Sequence, residues 1–84
     1  MAAIHTLVFI PANGEKTLYA GVYQVKETYL PNNTCKLEFK RDVEFDTYEL
    51  ELTIKEGEKA FLCQPSLTER DRMTNVAAFY PIKR

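Results

Sequence analysis

The stretch Thr34–Lys55, TCKLEFKRDVEFDTYELELTIK, decides the fold class. Cys35, Leu37, Phe39, Val43 and Phe45 take odd positions, with charged or polar residues between most of them. After Asp46-Thr47 the parity flips, and Tyr48, Leu50, Leu52 and Ile54 take even positions. Period two is the spacing of a strand with one buried face. A flip across two residues is what a tight hairpin needs to keep that face apolar, so the pattern predicts a turn at Asp46-Thr47 with Phe45 opposite Tyr48. On that register Glu44 faces Glu49 and Asp42 faces Glu51. Arg41 then falls at a core-facing position opposite Leu52.

Upstream, Lys16–Leu30 (KTLYAGVYQVKETYL) reads as a long strand, apolar on both faces in its first half and on one in its second. Gly21 in its middle marks a bend, a bulge or a close backbone approach. Leu30-Pro31-Asn32-Asn33 is the turn that joins it to the central hairpin. Further back, Ile4–Ile10 is apolar on both parities, which predicts a strand covered on both sides or lying at an interface. Pro11-Ala12-Asn13-Gly14 closes it.

Downstream, Lys55-Glu56-Gly57-Glu58 is a second turn leading into a strand over Lys59–Gln64. Pro65–Met73 carries the one helix signal, a capping box of Ser66 with Glu69. Val76–Ile82 is a last strand, marked by Pro81 as an edge or a strand end. Strands joined by such short turns are antiparallel. The whole predicts a single all-β domain over residues 1–84, a small antiparallel meander curling into a five- to six-stranded barrel, SH3-like or similar, with one short helix before the last strand.

Composition narrows the functional classes. The 84 residues are 45 % hydrophobic and 27 % charged, ordinary for a folded domain, and five Tyr with five Phe and no Trp suit a β core. A net charge of −1 gives no global attraction to nucleic acid or to acidic membranes. The balance is nevertheless uneven: residues 38–59 hold eight acids against four bases, and residues 66–84 hold four bases against two acids. The apolar run Leu7–Ile10 is too short for a signal peptide core or a membrane span, so a cytoplasmic location is expected. Pairing across the Glu56-Gly57 turn would set Cys63 opposite Leu50, far along the sheet from Cys35. Both cysteines are therefore expected as buried thiols, as a reducing compartment favours.

Catalytic chemistry is poorly supplied, and no enzyme is expected. The chain has one His, His5, and one Ser, which the helix cap occupies. No ligand set for a metal or cofactor is apparent. The acids Asp42, Glu44, Asp46, Glu49 and Glu51 would instead share the outer face of the hairpin, with Tyr29 and Tyr48 nearby as aromatic anchors. That arrangement suits a protein partner with a basic surface. The functional expectation is a non-enzymatic protein-binding module, a small regulator or inhibitor of the kind phages and mobile elements encode. Self-association through the Ile4–Ile10 or the Val76–Ile82 strand is expected with it. The alternative is a single-stranded nucleic-acid platform made by Tyr19 and Tyr23 with Lys26 and Lys36.

Overall fold

The computed structural model describes residues 4–65 and 76–80. They form six antiparallel strands in one sheet: β1 (His5–Ile10), β2 (Thr17–Leu30), β3 (Thr34–Val43), β4 (Asp46–Ile54), β5 (Lys59–Cys63) and β6 (Val76–Tyr80). Their order across the sheet is β4-β3-β2-β1-β5-β6. The all-β class and the strand sequence are as the alternation predicts. The helix expected at 65–73 falls almost wholly outside the described residues.

The order forces the sheet to curl. β4 and β5 stand four places apart in the sheet, about 19 Å if it were flat at ~4.8 Å per strand. They are joined by a tight turn in which the Glu58 N–H donates to the Lys55 carbonyl at 2.9 Å. Such a turn spans less than about 7 Å, so the two strands can meet only if the sheet rolls over. The core records this roll: Leu7, Val22, Cys35, Leu37, Phe39, Ile54, Ala60, Leu62 and Tyr80, contributed by all six strands, form one buried cluster.

Closure into a barrel does not follow. β5 pairs with β1 rather than with β4, which leaves β4 and β6 as the two edges. For the same reason Cys63 lies opposite Thr6 and not Leu50. Cys63 faces away from the main core, in a second cluster with Val8 and Phe61, while Cys35 belongs to the first. Both cysteines are buried thiols not joined by a disulfide.

Two bulges in β2 supply the bend. Opposite β1 the register slips between His5 and Leu7, at Ala20-Gly21 of β2. Opposite β3 it slips again between Tyr23 and Lys26, at Gln24-Val25. Each extra residue reverses the parity of the strand and increases its local twist, so the inward positions run Tyr19, Val22, Val25 rather than every second residue. Gly21 is left-handed at φ 70°, and a Cβ there would stand 2.9 Å from the Asp42 carbonyl oxygen. Only glycine permits both the conformation and that approach. Arg41, expected at a core-facing position, is spent on the same bulge: its Nε donates to the Ala20 carbonyl at 2.8 Å. Its guanidinium lies 5.9 Å from the Tyr19 ring centroid. The backbone group orphaned by the bulge thereby finds a partner.

The central hairpin keeps the predicted faces but not the predicted register. Its turn is Glu44-Phe45, two residues earlier than expected, and the ladder pairs Cys35 with Ile54, Leu37 with Leu52, Phe39 with Leu50 and Arg41 with Tyr48. Both registers match apolar rows, which is why parity alone cannot separate them. The observed one buries Cys35, Leu37 and Phe39 together and leaves one like-charge pair, Glu38 with Glu51. The expected one would have set Glu44 against Glu49 and Asp42 against Glu51.

Candidate protein-binding site

Moving the turn to Glu44-Phe45 takes Phe45 out of the core and puts it at the tip of the hairpin, where it is fully exposed. Val43, 38 % exposed, and Tyr48, 48 % exposed, stand just behind it. Glu44 takes a left-handed φ of 58° to make the turn, a conformation that is costly for a residue with a Cβ. The hairpin therefore ends in a small apolar group held out by a regular ladder of nine pairs. Phe45 could not be found from parity, since it continues the odd apolar row by one step past the last paired residue.

The five acids do not share a face. Asp42, Glu49 and Glu51 point outward, Asp46 falls on the opposite face beside Val43, and Glu44 sits in the turn. Asp42 is tied down as well: its Oδ1 accepts from the Tyr23 hydroxyl at 2.9 Å and from Thr47 Oγ1 at 2.8 Å. Asp42 thus braces the hairpin stem against β2. Glu49 faces Lys40, and Glu51 faces Glu38. With Gln24 and Lys26 these four side chains line an open basin of about 370 Å³ over the backbone of Phe39 and Leu50. Its rim mixes two ammonium and three carboxylate groups, so it presents charge of both signs. Gln24, left-handed at φ 52° in the second bulge, Glu38 and Lys40 were not among the residues singled out by sequence.

The two anchoring tyrosines are separated. Tyr48 lies opposite Arg41 near the tip, while Tyr29 lies opposite Cys35. Six residues of β3 part those positions, about 20 Å at ~3.3 Å per residue. The aromatic row proposed for nucleic acid is likewise divided by the bulges. Tyr19 packs edge-on against Phe39 at 5.6 Å between centroids, and Tyr23 is held by Asp42. Lys26 faces Glu38, and Lys36 pairs with Glu38 at 3.2 Å. These four residues do not form one basic aromatic surface.

Of the two strands expected to self-associate, β1 lies inside the sheet with both main-chain edges taken by β2 and β5. Only β6 is an edge. Among the described residues no three His, Cys, Asp or Glu side chains converge as a metal ion requires. The Cys35 thiol donates to Glu27 Oε2 at 3.2 Å, and burial, reinforced by that carboxylate, pushes its pKa up to about 12. Such a thiol is protonated at neutral pH and is a poor nucleophile. Among the described residues no helix is long and apolar enough to cross a membrane.

Compared with known proteins, the chain matches no family model, no curated protein and no solved structure. Its function has to be read from its own surface.

Proposed function

We propose that this chain is a non-enzymatic protein-binding module that grips its partner with the β3–β4 hairpin and regulates or inhibits that partner by occupying its surface. One observation carries the reading: a fully exposed phenylalanine at the hairpin tip, backed by exposed Val43 and Tyr48. Burying a Phe side chain is favourable by roughly 1.5–3 kcal/mol. Placed in a partner's pocket, Phe45 would have the character of an interface anchor. The flanking Glu44, Asp46 and Glu49 favour a pocket with a basic rim, and they act on the rate of encounter more than on the final affinity.

The test is capture of a partner from the native host by the wild-type chain and by Phe45→Ser, with folding of both checked by circular dichroism. The reading expects specific bands that vanish with Phe45→Ser while the spectra stay alike. An identical set of captured proteins from both would place the contact elsewhere.

A further inference from the structure

The second feature of the hairpin is its open edge. From the geometry we infer that β4 accepts an added strand from the partner, an extended segment about seven residues long in which basic residues alternate with apolar ones. This rests on the reading of the chain as a protein-binding module and names how the partner is held beyond the tip.

The hydrogen-bonding sense of β4 follows from its turn. A two-residue hairpin loop is closed by a hydrogen-bonded pair, here Val43 with Asp46, and the pairs then alternate along the ladder. Asp46, Tyr48, Leu50, Leu52 and Ile54 therefore turn their N–H and C=O groups toward β3. Thr47, Glu49, Glu51 and Thr53 turn theirs away from it. Among the described residues β4 pairs with β3 alone, and these four are all exposed. They offer an evenly spaced row of main-chain donors and acceptors about 20 Å long, at ~3.3 Å per residue.

Natural sheets usually blunt such an edge with a proline, a lysine, a bulge or a short strand. β4 has none of these. It contains neither Pro nor Lys, runs nine residues, and its ladder with β3 has no slip. The ladders of β2 with β1 and with β3, and of β5 with β6, all do. Among the described residues, the guard on β4 is the charge of Glu49 and Glu51.

That charge selects the occupant. Pairing with the β4 of a second copy, centred on Leu50, would set Glu49 against Glu51 and Glu51 against Glu49, and like charges directly opposite are destabilising. A strand with Lys or Arg opposite Glu49 and Glu51 gains from the same geometry. The other face sets the alternate positions. Leu50 and Leu52 are only partly buried and Tyr48 is exposed, so the row of inward side chains is incomplete at the edge. Apolar residues of an added strand would continue it. Main-chain pairing supplies the affinity and the alternating side chains the specificity, the usual division in strand addition.

The probe is a capped peptide, Thr-Val-Lys-Val-Lys-Val-Thr, titrated into the ¹⁵N-labelled chain while amide hydrogen exchange is followed. The inference expects exchange at Thr47, Glu49, Glu51 and Thr53 to slow at least tenfold, with Tyr48, Leu50 and Leu52, already in the ladder, little changed. The same peptide with Glu in place of Lys should bind at least tenfold more weakly. Glu51→Pro removes one outward N–H without touching the β3 ladder and should abolish the protection, whereas Glu51→Gln should only weaken it. Should Glu51→Pro fold poorly, the double change Glu49→Lys with Glu51→Lys decides through a gain: it should prefer the Glu peptide. No binding, protection outside these four amides, or no preference by charge would each overturn the inference. Phe45→Ser should leave peptide binding unchanged. Failure of the edge with Phe45-dependent capture intact therefore sinks this inference alone, and the converse sinks only the tip reading.

Discussion

Strands β1 and β4 belong to one sheet, yet they are stabilised in opposite ways. In β1 the consecutive residues Thr6, Leu7 and Val8 are all buried, one face serving the main core and the other the cluster with Phe61 and Cys63. Both of its main-chain edges are paired. In β4 only Ile54 is buried, one edge is open, and nine residues before Ile54 the hairpin ends in an exposed aromatic tip, Phe45. The difference teaches where this domain can change at little cost. Packing fixes the β1 side, and the β4 side is held mostly by backbone pairing, which leaves most of its side chains exposed.

Substitutions on the packed side should therefore cost most. Leu37→Ala removes a wholly buried side chain from the main cluster and should lower the unfolding free energy by about 2–5 kcal/mol in urea titration. A loss under about 1 kcal/mol would mean that the core is looser than its burial indicates. Gly21→Ala comes next. Its Cβ would meet the Asp42 carbonyl at 2.9 Å in a left-handed backbone, so about 1–3 kcal/mol should be lost. A variant as stable as wild type would show that the β2 bulge relaxes freely.

The hairpin should behave in the opposite sense. Phe45→Ser should change stability by less than about 0.5 kcal/mol, because the side chain contacts little within the chain. The double change Glu44→Lys with Glu49→Lys should slow capture of a basic partner at least tenfold, an effect that fades at high salt. Since Glu49 faces Lys40, it should also destabilise slightly, by a few tenths of a kcal/mol. An unchanged association rate would detach recognition from the hairpin's charge.

The contrast also shows what the residues could disclose on their own. Alternation is local, so the strands, their faces and the two-sided burial of β1 were legible. Registration is not local. The slide of the turn from Asp46-Thr47 to Glu44-Phe45 preserves parity, and what discriminates is long-range: Arg41 reaching the Ala20 carbonyl and Gly21 lying against Asp42. The choice of β1 as partner for β5 rests on the roll of the sheet, which no short window contains. Two expectations rested on local parity alone: the turn at Asp46-Thr47 and the pairing of β5 with β4. They put Phe45 in the core, gathered Asp42, Glu44, Asp46, Glu49 and Glu51 on one face, and treated β1 as an edge. The tyrosine row is divided for a related reason, because each β2 bulge reverses the parity of the strand.

A test at alkaline pH probes the packed side again. The Cys35 pKa is raised from 9.0 to about 12 by burial and then by Glu27. Between those values the unfolded chain loses the thiol proton and the folded chain keeps it. Stability from this group is thus full below pH 9 and declines as pH rises toward 12. Cys35→Ala should flatten that part of the profile of melting temperature against pH. An unaltered slope would mean that the thiol is hydrated in the folded state.

The smallest effect belongs to the turn that joins the two sides. Glu58 Oε1 accepts from the Lys55 N–H at 2.9 Å, and Oε2 accepts from the Ala12 N–H at 3.2 Å. One carboxylate thereby ties the β4–β5 turn to the loop between β1 and β2. The bond to Lys55, and then that to Ala12, holds its pKa below 4.5. For a carboxylate with a lowered folded pKa, the contribution is present above the unfolded value and is lost as pH falls through the folded one. Glu58→Gln keeps an acceptor but loses the charge. It should melt slightly below wild type at pH 7, and the gap should close in acid as the pH falls through the lowered folded pKa and the wild-type carboxylate itself becomes neutral. If the gap instead persists unchanged in acid, the charge of Glu58 contributes nothing. The shape of the turn would then come from Gly57, left-handed at φ 87°, and the two sides of the sheet would be joined there by backbone geometry alone.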